Sequence, residues 1–520
     1  MNKTKNALRW LIPLTIVFVL FLAIWAHQLI NERQLPAPGW SRTIHPEVAA
    51  KPVTPYVYKD GSKTHLLTVV DGGIARSVLD EKLHLLKKQV FHTKGDVQRV
   101  VWADASSILY KMDGSLFLHT SQTDKKIGNR AGDAQVEGGF LYYAQGNALH
   151  AYNLRSESDE RKATFHEPIQ AIAASGQHVI VITQDEQSTF HFYAAPSGSS
   201  QGKTHEFGRF SGFTHGNISV LETAQVDGKI GLFFIAHVLS QGEHFYNYYL
   251  EFSPKALLVD KPISINALPL TFTVKGTGEN VETPMNTRFF IKDGKPHLLF
   301  SAEGLRTLRD TAINIYDASP EKTGKWTAER RSTSSEMSII PFIIDQNTVG
   351  WLDYVSDEHY QIGLAATQPS IIKESLAYHT KDFSQSLSNA VLSLSRVFMF
   401  ILLSIAYTIP TILAYGMITF FKIELIEQDS PIVKWVLLAV FFVSQIFLLN
   451  HLEGAAFYRY APRYLTFPFN HWIIPIVMGA ITLLLVKWLA SKEWSVISKT
   501  FYAMALFSIM EWFTFGPYFF

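Results

Sequence analysis

The chain has 520 residues, a formal net charge of +1 and no cysteine. Near-neutral charge argues against a nucleic-acid binder, whose domain carries a basic stripe. The lack of thiols excludes disulfide scaffolds, thiolate metal sites and cysteine nucleophiles.

Residues 1–9 carry Lys3, Lys5 and Arg9 and no acid, and residues 10–30 form an apolar run. A hydrocarbon core of ~30 Å needs roughly 20 helical residues, and basic flanks stay cytoplasmic. Ala23 and Ala26 offer no small-x-small cleavage site, so the run reads as an uncleaved signal anchor, with a cleaved signal peptide as the alternative. Residues 31–55 hold Pro36, Pro38, Pro46, Pro52 and Pro55. Proline forbids a regular helix, and the stretch is expected to be an extended linker.

From Tyr56 the pattern changes to short β-type runs between turns. Asp60-Gly61, Asp113-Gly114, Asp227-Gly228 and Asp293-Gly294 each stand between apolar runs. Such a pair predicts a hairpin, because a type I′ turn needs positive φ at both central residues. Each turn is followed by a similar apolar triplet: His65-Leu66-Leu67, Leu116-Phe117-Leu118, Leu232-Phe233-Phe234 and His297-Leu298-Leu299. The recurrence is near the roughly 40–50 residues of a four-stranded blade. Over residues 56–375 the chain resembles a β-propeller ectodomain, and the resemblance implies about seven blades, without a Trp-Asp blade signature. Tandem β-sandwiches are the alternative all-β fold, with a boundary in residues 198–212. Leu79, Leu83, Leu86 and Val90 fall at helical spacing, so residues 77–91 are expected to form a short surface helix, with two strands as the alternative.

The Asp-Gly turns place lysines, such as Lys59, Lys63, Lys292 and Lys295, where a calcium loop needs oxygen ligands. The ectodomain histidines, among them His65, His119, His150, His191, His205, His215, His237, His244 and His297, show no zinc spacing. They read as hydrogen-bonded strand residues. No nucleophile elbow or phosphate loop is present, and no catalytic residue, metal or cofactor is assigned.

Residues 376–390 are expected to be a second linker, and 391–520 a four-helix transmembrane domain with runs at 391–421, 432–450, 472–490 and 501–520. Pro410 and Pro475 are expected to start or kink helices. Counted from a cytoplasmic N-terminus, residues 31–390 lie outside. Lys487, Lys492 and Lys499 then lie inside, as basic loops should, whereas Arg459 and Arg463 lie outside, against the rule. Glu511 sits within the last run, and an ionisable group at that depth is costly unless it is paired or faces a cavity. Arg396 is geometrically placed to pair with it. Between the runs at 432–450 and 472–490 stand His451, Glu453, Tyr458, Arg459, Tyr460, Arg463, Tyr464 and His471. Arginine beside tyrosine suits phosphate or carboxylate recognition, while an interfacial aromatic belt with snorkelling arginines gives the same composition. The candidate binding residues are Arg396, His451, Glu453, Arg459, Arg463, His471 and Glu511.

Three functions follow as expectations. One is a membrane-anchored extracytoplasmic binding or scaffold protein of the cell envelope. It would partner the lipid bilayer and an envelope or membrane protein, or a wall-associated ligand, but no nucleic acid. A second is an envelope enzyme or transport accessory acting on an anionic lipid-linked or polymer substrate around Glu511 and the 450–471 loop. A third is a sensor coupled through its helices.

Overall fold

The structure is a computed structural model. It describes residues 2–120, 123–198, 203–211, 216–239, 243–259, 261–307, 310–490 and 494–519, and the side chains of residues 2–7 and 455–456 are left out of the description. There are two compact units, one chiefly of residues 35–377 and one of the N-terminal helix with residues 378–520.

The first unit is a seven-bladed β-propeller. Its blades span residues 56–92, 97–128, 134–164, 169–210, 216–252, 285–330 and 338–366, each an antiparallel sheet running strand by strand in chain order. The first strands of successive blades touch one another around the ring, and Tyr56–Asp60 of the first blade also touches Ser338–Asp345 of the last. A separate hydrophobic cluster fills each of the seven spaces between neighbouring blades. This closure excludes tandem β-sandwiches.

The sequence grades across a blade because burial does. Middle strands are buried on both faces, as in His178–Gln184 with the pattern iBBBBBi. Such strands read as near-continuous apolar runs. The fourth strands of the first three blades are largely exposed and charged: Leu85–His92, Asp124–Gly128 and Asp159–Thr164 carry Lys87, Lys88, Lys125, Lys126 and Arg161. Lysine on an edge strand blocks edge-to-edge pairing with another chain. Around the axis, side chains take the place of a ladder. Asp133, Gln135 and Glu137 accept the backbone N–H groups of Ile172, Ala174 and Gly176 in the next blade, at 3.0, 2.9 and 3.2 Å.

Three of the four Asp-Gly hairpins have positive φ at both turn residues, as at Asp113 and Gly114 (49° and 70°). In the fourth the loop is Gly61 and Ser62, because Asp60 pairs with Lys63 in the ladder, and positive φ falls on Gly61.

Three expectations are corrected. Residues 77–91 are not helical. They form the end of Gly73–Leu79, a tight loop, and Leu85–His92. Leu79 and Leu83 are buried, but Leu86 and Val90 lie exposed on the outer strand, so the helical spacing marked no common face. Asp80 closes the loop by accepting the N–H groups of Lys82 and His84.

Residues 35–55 are not a linker either. Ala49–Ala50 pairs with His359–Ala366 and supplies the fourth strand of the last blade, and Ser41 N–H donates to the Ala366 carbonyl at 2.9 Å. Trp40, Val48 and Ala50 are buried. The prolines fit because an edge strand can spare N–H donors.

Third, part of the 198–212 stretch is a strand. His205–Phe210 completes the fourth blade, whereas residues 199–202 and 212 lie outside the description.

The fifth blade has three strands where its neighbours have at least four. After His244–Phe252 the chain crosses to the outer edge of the fourth blade, where Ile263–Ser264 lies parallel to His205–Phe210. It then passes to the sixth, where Phe272–Val274 lies parallel to Trp326–Arg330. On the way Leu270 donates its N–H to Asn247 at 2.8 Å.

The helices are α1 Asn2–Glu32, α2 Pro369–Ser375, α3 Thr380–Ala406, α4 Ile409–Phe421, α5 Ile423–Glu427, α6 Pro431–Leu452, α7 Ala455–Tyr460, α8 Asn470–Leu489 and α9 Val496–Phe515. Among the described residues, four helical stretches are long and apolar enough to cross a membrane: Leu8–Glu32, Thr380–Phe421, Pro431–Leu452 and Asn470–Leu489. The run expected as a further span is α9, which is not among these four. Lys499, Glu511 and its hydroxyl-bearing residues dilute it. It packs instead against α1, α3, α6 and α8, with Phe507 and Phe515 fully buried.

Pro410 starts α4 after a break at Tyr407–Thr408. The stretch expected as a second linker is helical from Thr380, and Asp382 caps that helix by accepting the His379 N–H at 3.1 Å. α1 meets α3 through polar contacts: Trp25 Nε1 donates to Ser386 Oγ at 3.0 Å and Asn389 Nδ2 to Glu32 Oε1 at 2.7 Å. Gly516 permits the close approach of the α9 terminus to α3, since a Cβ there would lie 3.0 Å from Val397 Cα.

Candidate functional site

The polar segment between α6 and α8 is folded onto the helix ends. α6 stops at Leu452, α7 follows, and a single 3-10 turn, Arg463–Leu465, precedes α8. Asn470 Nδ2 donates to the Leu465 carbonyl and ties this turn to the start of α8. Glu453 and His471 are brought together, with His471 Nδ1 lying 2.9 Å from Glu453 Oε2. The contact is not a hydrogen bond, and His471 Nδ1 is buried without a hydrogen-bond partner. Tyr458 Oη donates to the same carboxylate oxygen at 3.1 Å, while Glu453 Oε1 is buried without a hydrogen-bond partner.

The other candidates are spread out. Arg459 lies over the Tyr460 ring, 5.9 Å from its centroid. Arg463 and His451 are exposed.

Arg396 and Glu511 do not pair. Glu511 is fully buried, and neither carboxylate oxygen has a hydrogen-bond partner. One polar contact nearby in sequence terms went unread: Ser404 Oγ donates to Gln445 Oε1 at 3.2 Å, both side chains fully buried. Gln445 inside an apolar run was the available signal, of the same kind as Glu511.

In the propeller the strand histidines meet carboxylates. His119, His150, His191 and His297 place Nδ1 at 2.8, 3.1, 2.8 and 2.7 Å from Asp124, Asp159, Glu206 and Asp317. His65 differs. It stacks on Tyr58 at 4.5 Å, and both its ring nitrogens are buried without hydrogen-bond partners. At His191, burial works to lower the pKa, but Glu206 and Asp185 outweigh it and the imidazole is raised. At Asp317 burial works to raise the pKa. The hydrogen bond from His297 and the charge of Arg331, whose Nη2 lies 2.8 Å away, outweigh it and hold the carboxyl at about 2. The Arg331 guanidinium also stacks 4.4 Å from the centroid of the Trp40 ring, and the Lys292 ammonium lies 4.8 Å from it. These pairs lie within single blades or fasten the N-terminal segment, and their role is structural.

Exposed aliphatic residues recur in the stretch from residue 239 to 268, which includes the segment that leaves the fifth blade for the outer edge of the fourth. Leu239, Leu258, Val259 and Ile263 are each at least half exposed, and Leu268 is 86% exposed.

No protein-family model matches this chain, and no curated protein matches it. Among solved structures it is similar to the N-terminal domain of Nup159, at 11% identity and TM-score 0.37, covering 63% of this chain and 96% of that one. It is also similar to the WD40 domain of SCAP from fission yeast, at 8% identity and TM-score 0.37, covering 64% and 100%. A third likeness is to the extracellular domain of the hybrid two component system BT4673 from B. thetaiotaomicron, at 13% identity and TM-score 0.38, covering 62% of this chain and 39% of that one.

Proposed function

We propose that this chain is a membrane-anchored binding or scaffold protein of the cell envelope. Its propeller lies on the extracytoplasmic side and holds a protein partner at the fifth blade. The helical unit anchors it, with α1 as an uncleaved signal anchor. The observation that carries this reading is the recurrence of exposed aliphatic residues, Leu239, Leu258, Val259, Ile263 and Leu268, along the stretch around the exit from a blade of three strands. Scattered exposed aliphatics are ordinary, but a concentration of them on a soluble domain marks an interaction site. Attachment to apolar helices before and after the propeller supports the anchoring role.

The test is in-cell photocrosslinking of the full chain with a crosslinker at Leu268, and at the exposed Lys322 as control. The reading predicts one discrete crosslinked protein from position 268, absent from position 322 and lost in Leu258→Asp. Equal crosslinking from both positions, or none from 268 in a normally made chain, contradicts it.

A further inference from the structure

Within the helical unit, α1, α8 and α9 line an open groove of about 550 Å³. It is lined by Ile16, Val19 and Leu20 of α1, Val477 and Ile481 of α8 and Met510 of α9, among others. The hydroxyl of Thr15, also in the lining, is spent on the Leu11 carbonyl at 2.8 Å. The α8 stretch along the groove, from Ile473 to Ile481, is about 12 Å long at 1.5 Å per residue. A slot of this lining, with α1 and α8 apolar enough to cross a bilayer, suits an acyl chain, and its volume is that of an ordinary ligand site.

One end of the slot is Phe467. Four residues earlier stands Arg463, exposed, at the start of the 3-10 turn. Thr466 N–H donates to the Arg463 carbonyl at 3.2 Å, and Asn470 holds the next residue but one. The cation thus stands on a fixed turn, four residues in sequence from a residue that lines the slot. The acid of the same segment, Glu453, is engaged by His471 and Tyr458. Tyr464, Phe469 and Trp472 are exposed around the turn, the composition of a headgroup-level belt.

We infer that the helical unit binds one anionic phospholipid, with an acyl chain in the α1–α8–α9 slot and the phosphate at Arg463. This goes beyond the propeller reading, but it rests on that reading's placement of the helices in a bilayer.

The test uses the full chain in nanodiscs of mixed phosphatidylglycerol and phosphatidylcholine. Lipid retained after transfer to detergent is counted by native mass spectrometry. The wild type should retain one phosphatidylglycerol in preference to phosphatidylcholine. Val477→Trp and, independently, Val19→Phe should remove it by filling the slot, while Leu484→Trp on an exposed face should not. Arg463→Gln should cut the preference for phosphatidylglycerol roughly fivefold, the effect of one arginine near an anionic lipid surface. A wild type that inserts but retains no lipid, or retains both lipids equally, overturns the inference. So do slot-filling variants that insert and keep the lipid. A discrete protein in place of lipid at the slot also overturns it and assigns the slot to a partner helix. A chain that does not enter nanodiscs defeats the membrane placement itself.

Discussion

At the scale of single residues, the buried group with the largest consequence is Asp317. Its carboxylate is 1% exposed and lies between His297 and Arg331. Removing one partner of a buried pair costs roughly 3–5 kcal/mol when the other charge is left uncompensated; here Glu329, 3.1 Å from Arg331, compensates part of it, so the low end applies. Asp317→Asn is therefore expected to destabilise the propeller at neutral pH by about that amount. The pH dependence has a defined sign. The folded carboxyl titrates at about 2, below its ordinary 3.8. Its contribution, about 2 kcal/mol, is fully present above the ordinary value and is lost as pH falls through 2. Denaturant unfolding at pH 7, 4 and 2.5 should show a steeper loss in the wild type than in Asp317→Asn between the last two points. Equal losses would show that the pair does not carry the acid sensitivity. His191 works in the opposite sense, because its raised pKa gives stability below 6.5 that is lost as pH rises.

Elements differ in how far the sequence announces them. The hairpins at Asp113-Gly114, Asp227-Gly228 and Asp293-Gly294 were legible because a left-handed pair of turn residues admits few side chains. The middle strands were legible because burial on both faces keeps them apolar. The outer strand Leu85–His92 was misread as helix, since a strand exposed on both faces has no alternation to show. Ala49–Ala50 was invisible. Its two residues close the ring through partners more than 300 positions away, and only Trp40 hinted that its surroundings were folded. Trp40 is 4% exposed and packs against Arg331 and Lys292. Trp40→Ala is expected to cost roughly 3–5 kcal/mol and to loosen the last blade. Hydrogen exchange in His359–Ala366 should rise selectively. Protection unchanged there, with global stability intact, would mean that the N-terminal segment does not hold the ring. For the candidate site, the polar segment from His451 to His471 was legible, but that Glu453, Tyr458 and His471 meet within it was not, because its arginines and other tyrosines read equally well. The slot between α1, α8 and α9 was not legible either, since it joins residues nearly 500 positions apart.

At the scale of the whole molecule, one chain holds a closed seven-bladed ring and helices apolar enough to cross a bilayer; the proposed placement puts the ring outside and the N-terminus inside. The blades store their apolar residues in seven separate interfaces, and the helical unit keeps its own core around Phe441, Phe507 and Phe515. Such a chain needs two solvents, and the distribution of charge follows that need. Because the protein has no cysteine, single substitutions give clean probes of which side each unit faces. Thr277 is exposed in the propeller and Glu427 between α4 and α6. In intact cells, a membrane-impermeant maleimide is predicted to label Thr277→Cys at once and Glu427→Cys only after the membrane is opened. Labelling of Glu427→Cys in intact cells, with Thr277→Cys protected until lysis, would contradict the account.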